Sequence, residues 1–152
     1  MIRKILVADD GTDVSNRALR SASEIAEPCN ALIILLHVID IIEDPDTMIF
    51  GNNEDLIQKA KMMNLKTTVE DMWTERASNL KDRLNDQKIA SESICLTGIA
   101  SEKILEYAHY KEVDMIVMGS SKRFTGMSRI KALGSVTRRV SELAKCPVLI
   151  VH

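Results

Sequence analysis

The sequence predicts an α/β protein in which a parallel sheet is covered by helices on both faces. Three observations carry that prediction. Strand-like and helix-like patterns alternate from one end of the chain to the other. The run Ala31 to Val38 is unbroken, apolar and rich in Ile and Leu, as expected of a strand buried on both faces. Polar or small residues then stand just past the strands, where open parallel sheets gather their ligands. At 152 residues the chain is long enough to bury such a sheet, and one domain spanning 1–152 is expected.

Each element follows in turn. Lys4 to Ala8 is a short apolar run, and Val14, Ala18, Leu19, Ala22, Ile25 and Ala26 then recur at helical spacing. Ala31 to Val38 forms the second strand. After an acidic, Pro-containing loop around Ile42 to Asp46, Glu54 to Asp86 reads as one long helix. Its stripes are Leu56, Ala60 and Met63, then Trp73, Ala77, Leu80 and Leu84. Ile89 to Thr97 reads as a strand, and Ser101 is placed to cap a helix that buries Ile104, Leu105 and Ala108. Met115 to Met118 is the fourth strand. The last helix carries Val136, Val140, Leu143 and Ala144 on one face, stops at Lys145 and Pro147, and feeds the strand Val148 to Val151. Right-handed crossovers between parallel strands put these helices on both faces.

Composition narrows the function. With 45% hydrophobic and 28% charged residues the chain is a folded protein, not a disordered tail. A formal net charge of -2 supplies no overall attraction to nucleic acid or anionic membrane, so an anion has to be gathered by local geometry. No apolar stretch approaches bilayer length and no signal peptide is recognised, so a cytoplasmic location is expected. Cys29, Cys95 and Cys146 are far apart and odd in number, which argues against a disulfide framework or a zinc site and favours buried thiols.

Strand ends bring together Asp9-Asp10-Gly11-Thr12, His37-Val38, Thr97-Gly98 and Gly119-Ser120-Ser121. The segment after the fourth strand runs from Gly119 through Lys122, Arg123, Gly126, Arg129 and Lys131 to Gly134 and Ser135, mixing small residues with basic ones. Glycines let a backbone approach a phosphate, and a helix N-terminus adds about half a positive charge. Gly134, Ser135 and Val136 are therefore candidate phosphate donors; the bland alternative is that Ser135 caps its own helix, a use compatible with anion binding. Asp10 suits ligand contact and turn formation alike. His37 reads as a structural histidine, and no catalytic histidine is expected. Met62, Met63 and Met72 suit core or subunit packing.

The stretches Ile5 to Thr12, Leu35 to Asp40, Gly98 to Leu105, Asp114 to Ser120 and Cys146 to Val151, in this order and spacing, resemble the universal stress protein family over essentially the whole chain. The resemblance implies a Rossmann-like, five-stranded parallel sheet in the order 3-2-1-4-5, and a homodimer with the last strand near the subunit contact. It further implies ATP as ligand, with any Mg or Mn held by the phosphates. Carried over residue by residue, Asp10 resembles the acidic contact near the adenosine, with Ala8 and Asp9 flanking it, and Val38 the residue offering backbone groups to the base. Met118, Gly119 and Ser120 correspond to the approach to ribose and phosphate, and Ser135 and Val136 to the phosphate tail. ATP-binding members carry Gly-x2-Gly-x9-Gly-Ser/Thr here. Gly119 and Gly134-Ser135 match its ends, but Lys122 replaces the second glycine and the connection is two residues longer.

A receiver domain shares the opening Ile5 to Asp10 but needs a phosphorylatable Asp after the third strand, where this chain has Thr97-Gly98. The nearer rival is a regulatory stress-protein dimer that takes no nucleotide. No base-plus-metal constellation is evident, so at most slow ATP hydrolysis is expected. Lys122 either replaces the lost backbone donors with a point charge or fills the phosphate space. Calorimetry on Lys122→Gly separates these: weaker ATP binding marks a phosphate contact, and tighter binding marks an obstruction.

Overall fold

The computed structural model describes residues 1–39, 53–120 and 133–152, and of 53–62 the backbone alone. Its elements are β1 (Lys4–Ala8), α1 (Asp13–Cys29), β2 (Leu32–Ile39), α2 (Asn53–Asp86), β3 (Ser91–Thr97), α3 (Ala100–Tyr110), β4 (Met115–Gly119), α4 (Ser135–Leu143) and β5 (Val148–Val151). The strands form one parallel sheet in the order β3-β2-β1-β4-β5, as the family resemblance implies. The acidic loop expected around Ile42 to Asp46 lies outside the described residues, as do Leu56, Ala60 and Met62 in their side chains.

Alternation along the central strands divides the core. Ile5, Val7, Ile33, Leu35 and Val117 point toward α1 and α2, where they meet Ala18, Ala22, Ala26, Trp73, Ala77, Leu80 and Leu84. Leu6, Ile34, Leu36, Ile116 and Met118 point the other way, against Ile104 and Ala108 of α3 and Val140 of α4. Because β1, β2 and β4 are buried on both faces, an apolar run was the right signature for them. Each fully buried Ile or Leu is worth about 1.5–3 kcal/mol of transfer free energy, so these strands anchor the molecule. The alanines facing the sheet on α1 let that helix lie close to it.

Local chemistry fixes the ends. Thr12 caps α1, its hydroxyl accepting from the Ser15 amide at 3.3 Å, and Asn30 closes the helix at φ 50°, a conformation that Asn tolerates. α2 ends in a comparable turn through Lys88, at φ 59°, and Ile89 is buried ahead of β3 instead of lying within it.

Several expectations are corrected. Ser101 does not cap α3: Ile99 occupies the cap without a side-chain bond, and Ser101 is buried in the first turn. Cys29 is exposed on the last turn of α1 and is no core residue, while Cys95 and Cys146 are half-buried and pack against the edges of the two core clusters. Met63 and Met72 are 70% and 66% exposed, off the face of α2 that buries Trp73, Ala77, Leu80 and Leu84, so of the two roles expected for them, core or subunit packing, the core role does not hold. Leu143 is 54% exposed at the end of α4, while Val140 carries that helix's burial.

Asp114 joins the starts of two strands. Its Oδ2 accepts the amides of Arg3 and Lys4 at 2.8 and 2.9 Å, and these two bonds hold its carboxyl below the ordinary carboxylate range. A folded-state pKa below the unfolded value of about 3.9 means the stabilisation is complete above that pH and is lost as the pH falls through the folded value. Asp114→Asn should therefore lower the unfolding free energy at pH 7 by up to about 1 kcal/mol, the carboxylate being partly solvated. The difference from the parent chain should shrink below about pH 4, as urea titrations across pH will show.

Candidate functional site

In a parallel sheet all the carboxyl ends lie along one rim. Here β1 sits between β2 and β4, so the connections leave it in opposite directions and a crevice opens above it. Ala8 pairs with Leu36 on one side and Met118 on the other, which puts the β1–α1 turn and the end of β4 side by side.

Gly119 is where the helices converge. A Cβ placed on it would stand 2.6 Å from Cγ1 of Val14, so the first turn of α1 occupies the space a side chain would need. From the other side the buried Thr137 hydroxyl donates to the Gly119 carbonyl at 3.0 Å, which pins the first turn of α4 to the end of β4. Gly134 is the N-cap residue and Ser135 the first helical residue, so Ser135 does not cap its own helix; among the described residues no side-chain cap is seen. Ser135 is exposed and Val136 half-buried, with Val136 packed on the α3–α4 core. Ser120 is buried, and its amide donates to the Val151 carbonyl at 2.8 Å, which extends the ladder to β5 by one residue. Val38 and Ala8 are half-buried on the α3–α4 side, where Met118 is buried. Lys122, Arg123, Gly126, Arg129 and Lys131 lie outside the described residues.

The two adjacent aspartates have different surroundings. Asp10 is exposed, and its Oδ1 accepts from the Thr12 amide at 3.1 Å and the Thr12 hydroxyl at 2.6 Å, a side-chain turn that leads into α1. Asp9 is 4% exposed. Its Oδ1 accepts from the Gly11 amide at 2.7 Å, the Ser15 hydroxyl at 2.9 Å and Nη2 of Arg76 at 3.0 Å, and its Oδ2 from Nε of Arg76 at 3.0 Å. Gly11 adopts φ 80°, which a side chain would resist. His37 behaves as a structural histidine: its Nδ1 lies 2.7 Å from the Asp9 carbonyl, which fixes that nitrogen as the donor, and its ring stacks on Trp73 at 5.2 Å.

Arg76 and Thr137 were not singled out in the sequence, and Trp73 only as part of the buried stripe of α2. The signal for Arg76 was an arginine one turn from Trp73 and next to Ala77, on the stripe that faces the sheet, together with a second strand-end aspartate in need of a cation. Cys95 and Cys146 offer no nucleophile, since burial pushes both thiols above their ordinary range and keeps them protonated at neutral pH. Among the described residues no group of three or more His, Cys, Asp and Glu could hold a metal. A cavity of about 400 Å³ opens away from the rim, between α2 and β3, beside Trp73, Ala77, Lys81, Ser93 and Cys95.

Thr137→Val keeps the shape of the side chain and removes its bond to Gly119. It should lower the unfolding free energy by about 1–2 kcal/mol, the cost of breaking a buried hydrogen bond, as measured by urea denaturation.

A family model described as the Universal stress protein family matches residues 1–152. Universal stress protein YxiE of Bacillus subtilis is 32% identical, with all of both chains aligned. Universal stress protein MJ0577 of Methanocaldococcus jannaschii is 32% identical over 99% of this chain and 95% of its own. The solved MJ0577 structure superposes with a TM-score of 0.78 at 30% identity, covering 99% of this chain and 96% of that one. The same fold, at a TM-score of 0.63 and 20% identity over 100% of this chain and 98% of the other, occurs in the universal stress protein of Archaeoglobus fulgidus solved in complex with dAMP. Fold and full-length sequence similarity agree, and the chain belongs to the Universal stress protein family.

Proposed function

We propose that this universal stress protein holds an adenine nucleotide, ATP in the full reading, at the rim above β1 and β4 and serves as a cytoplasmic, nucleotide-dependent stress-response switch. One observation supports the reading: the first turn of α4, whose N-cap residue Gly134 brings no side chain of its own, is fastened beside Gly119 by Thr137. A helix start presents backbone N–H donors and about half a positive charge, which suits a phosphate group. The dAMP complex of the Archaeoglobus fulgidus protein supports an adenine nucleotide as the class of ligand.

The residues fit that ligand. Asp10 and the half-buried Val38 and Ala8 border the adenosine end, Met118, Gly119 and Ser120 lie along the ribose and first phosphate, and Gly134, Ser135 and Val136 receive the phosphate tail. Asp9 lies beneath them and shapes the turn. Lys122 belongs to the same reading through its place in the sequence after Gly119. A divalent cation, where present, is carried by the phosphates. β5 is an edge strand with β4 as its neighbour and is half-buried along its length, which suits pairing with a second copy in a homodimer.

Ser135→Trp should leave unfolding unchanged, because the residue is exposed, and should weaken ATP binding at least about tenfold by blocking the helix start. Calorimetry with ATP and AMP reads the affinity, and mass spectrometry of the denatured protein reports any nucleotide that copurifies. Unchanged affinity in the variant would remove the phosphate from α4. A wild-type chain that binds neither ATP nor AMP would favour the regulatory dimer that takes no nucleotide.

A further inference from the structure

We infer that Arg76 is a positioning residue of the nucleotide site, and that through its ion pair with Asp9 the docking of α2 and the occupancy of the rim are coupled. The inference rests on the nucleotide reading above and adds its regulation.

Asp9 is held at both ends. Its carboxylate takes two nitrogens of Arg76, and its carbonyl takes the His37 ring, which itself lies against Trp73. Trp73 and Arg76 are one turn apart on α2, so a single turn of that helix grips the β1–α1 connection from 67 residues away in sequence. The same guanidinium reaches α1 directly, Nη2 donating to Oδ1 of Asn16 at 2.8 Å. Asp9 in turn holds the Gly11 amide and the Ser15 hydroxyl. Asp10 therefore stands between two residues whose positions α2 sets.

The Asp9 side chain is only 2% exposed, whereas Arg76 is 28% exposed. Withdrawing the arginine would strand a buried carboxylate. That carboxylate would turn toward water and release Gly11 and Ser15, and the turn carrying Asp10 would lose its shape. A ligand that needs the shaped turn binds better when α2 is docked, and by reciprocity its binding strengthens the docking. A partner that lifts this turn of α2 off the sheet would empty the site.

The test uses Arg76→Gln and the double variant Asp9→Asn with Arg76→Gln, which removes the pair without stranding a buried charge and so preserves the fold. Calorimetry with AMP should show affinity weakened about tenfold in both, as expected when a preorganised turn is loosened. Amide exchange at residues 73–77 should slow when AMP is added to the parent chain and should not respond in the double variant, a readout that a purely structural ion pair would leave alike in both. A folded double variant with parental affinity and parental slowing would overturn the inference and leave the nucleotide site standing. A parent chain that binds no nucleotide would remove the site and the inference with it.

Discussion

The molecule depends on a lack of space at Gly119. A methyl group there would overlap Val14, so α1 can approach the end of β4 only because the residue has no side chain. The carbonyl of the same residue is the acceptor for Thr137, which brings α4 to the same point from the opposite face. Two helices on different faces thus start beside one strand end. Their dipoles, each contributing about half a positive charge, converge where the strand order reverses. Without this close approach the two positive helix ends would stand farther apart.

Much of this was legible in the sequence because it rests on periodicity. The unbroken apolar run of β2, the alanines of α1 and the stripe Trp73, Ala77, Leu80 and Leu84 each state which side is buried, and each lies where that pattern puts it. The strand-end residues could be ordered along the rim because parallel strands share one polarity. Pairings distant in sequence were not legible. Nothing local in Arg76 says that its partner is Asp9, and nothing local in Thr137 says that it reaches Gly119, since such contacts exist only once sheet order and helix faces are set. The capping of α3 failed for a related reason: Ser101 has the right chemistry for a cap, but the helix begins one residue before it, and its hydroxyl is drawn into the interior.

The adjacent aspartates show how one dipeptide can divide two tasks. Alternation sends the Asp9 side chain to the α1–α2 face, where it is buried and needs a cation, and α2 supplies Arg76. Asp10, one residue on, emerges at the turn and organises the entry to α1 through Thr12. A buried carboxylate in an ion pair is seldom a gain in stability over an apolar pair of similar volume. Its value here lies in direction: four hydrogen bonds converge on Asp9 and fix the backbone on either side of Asp10.

The same saturation bears on what the rim can do chemically. A general base needs a lone pair within reach of water or substrate. Asp9 spends its carboxylate on Arg76, Gly11 and Ser15, and His37 gives its Nδ1 proton to a backbone carbonyl and its ring face to Trp73, which leaves Nε2 as the ring's acceptor. Asp9 and the Nδ1 of His37 thereby hold the β1–α1 turn in place at the edge of the rim. What faces outward is a set of backbone donors and short side chains at a helix start, a surface suited to holding an anion for a long residence. Arg76 and the Trp73–His37 stack both tie α2 to the β1–α1 turn, so the position of that turn and the docking of α2 are set by the same contacts.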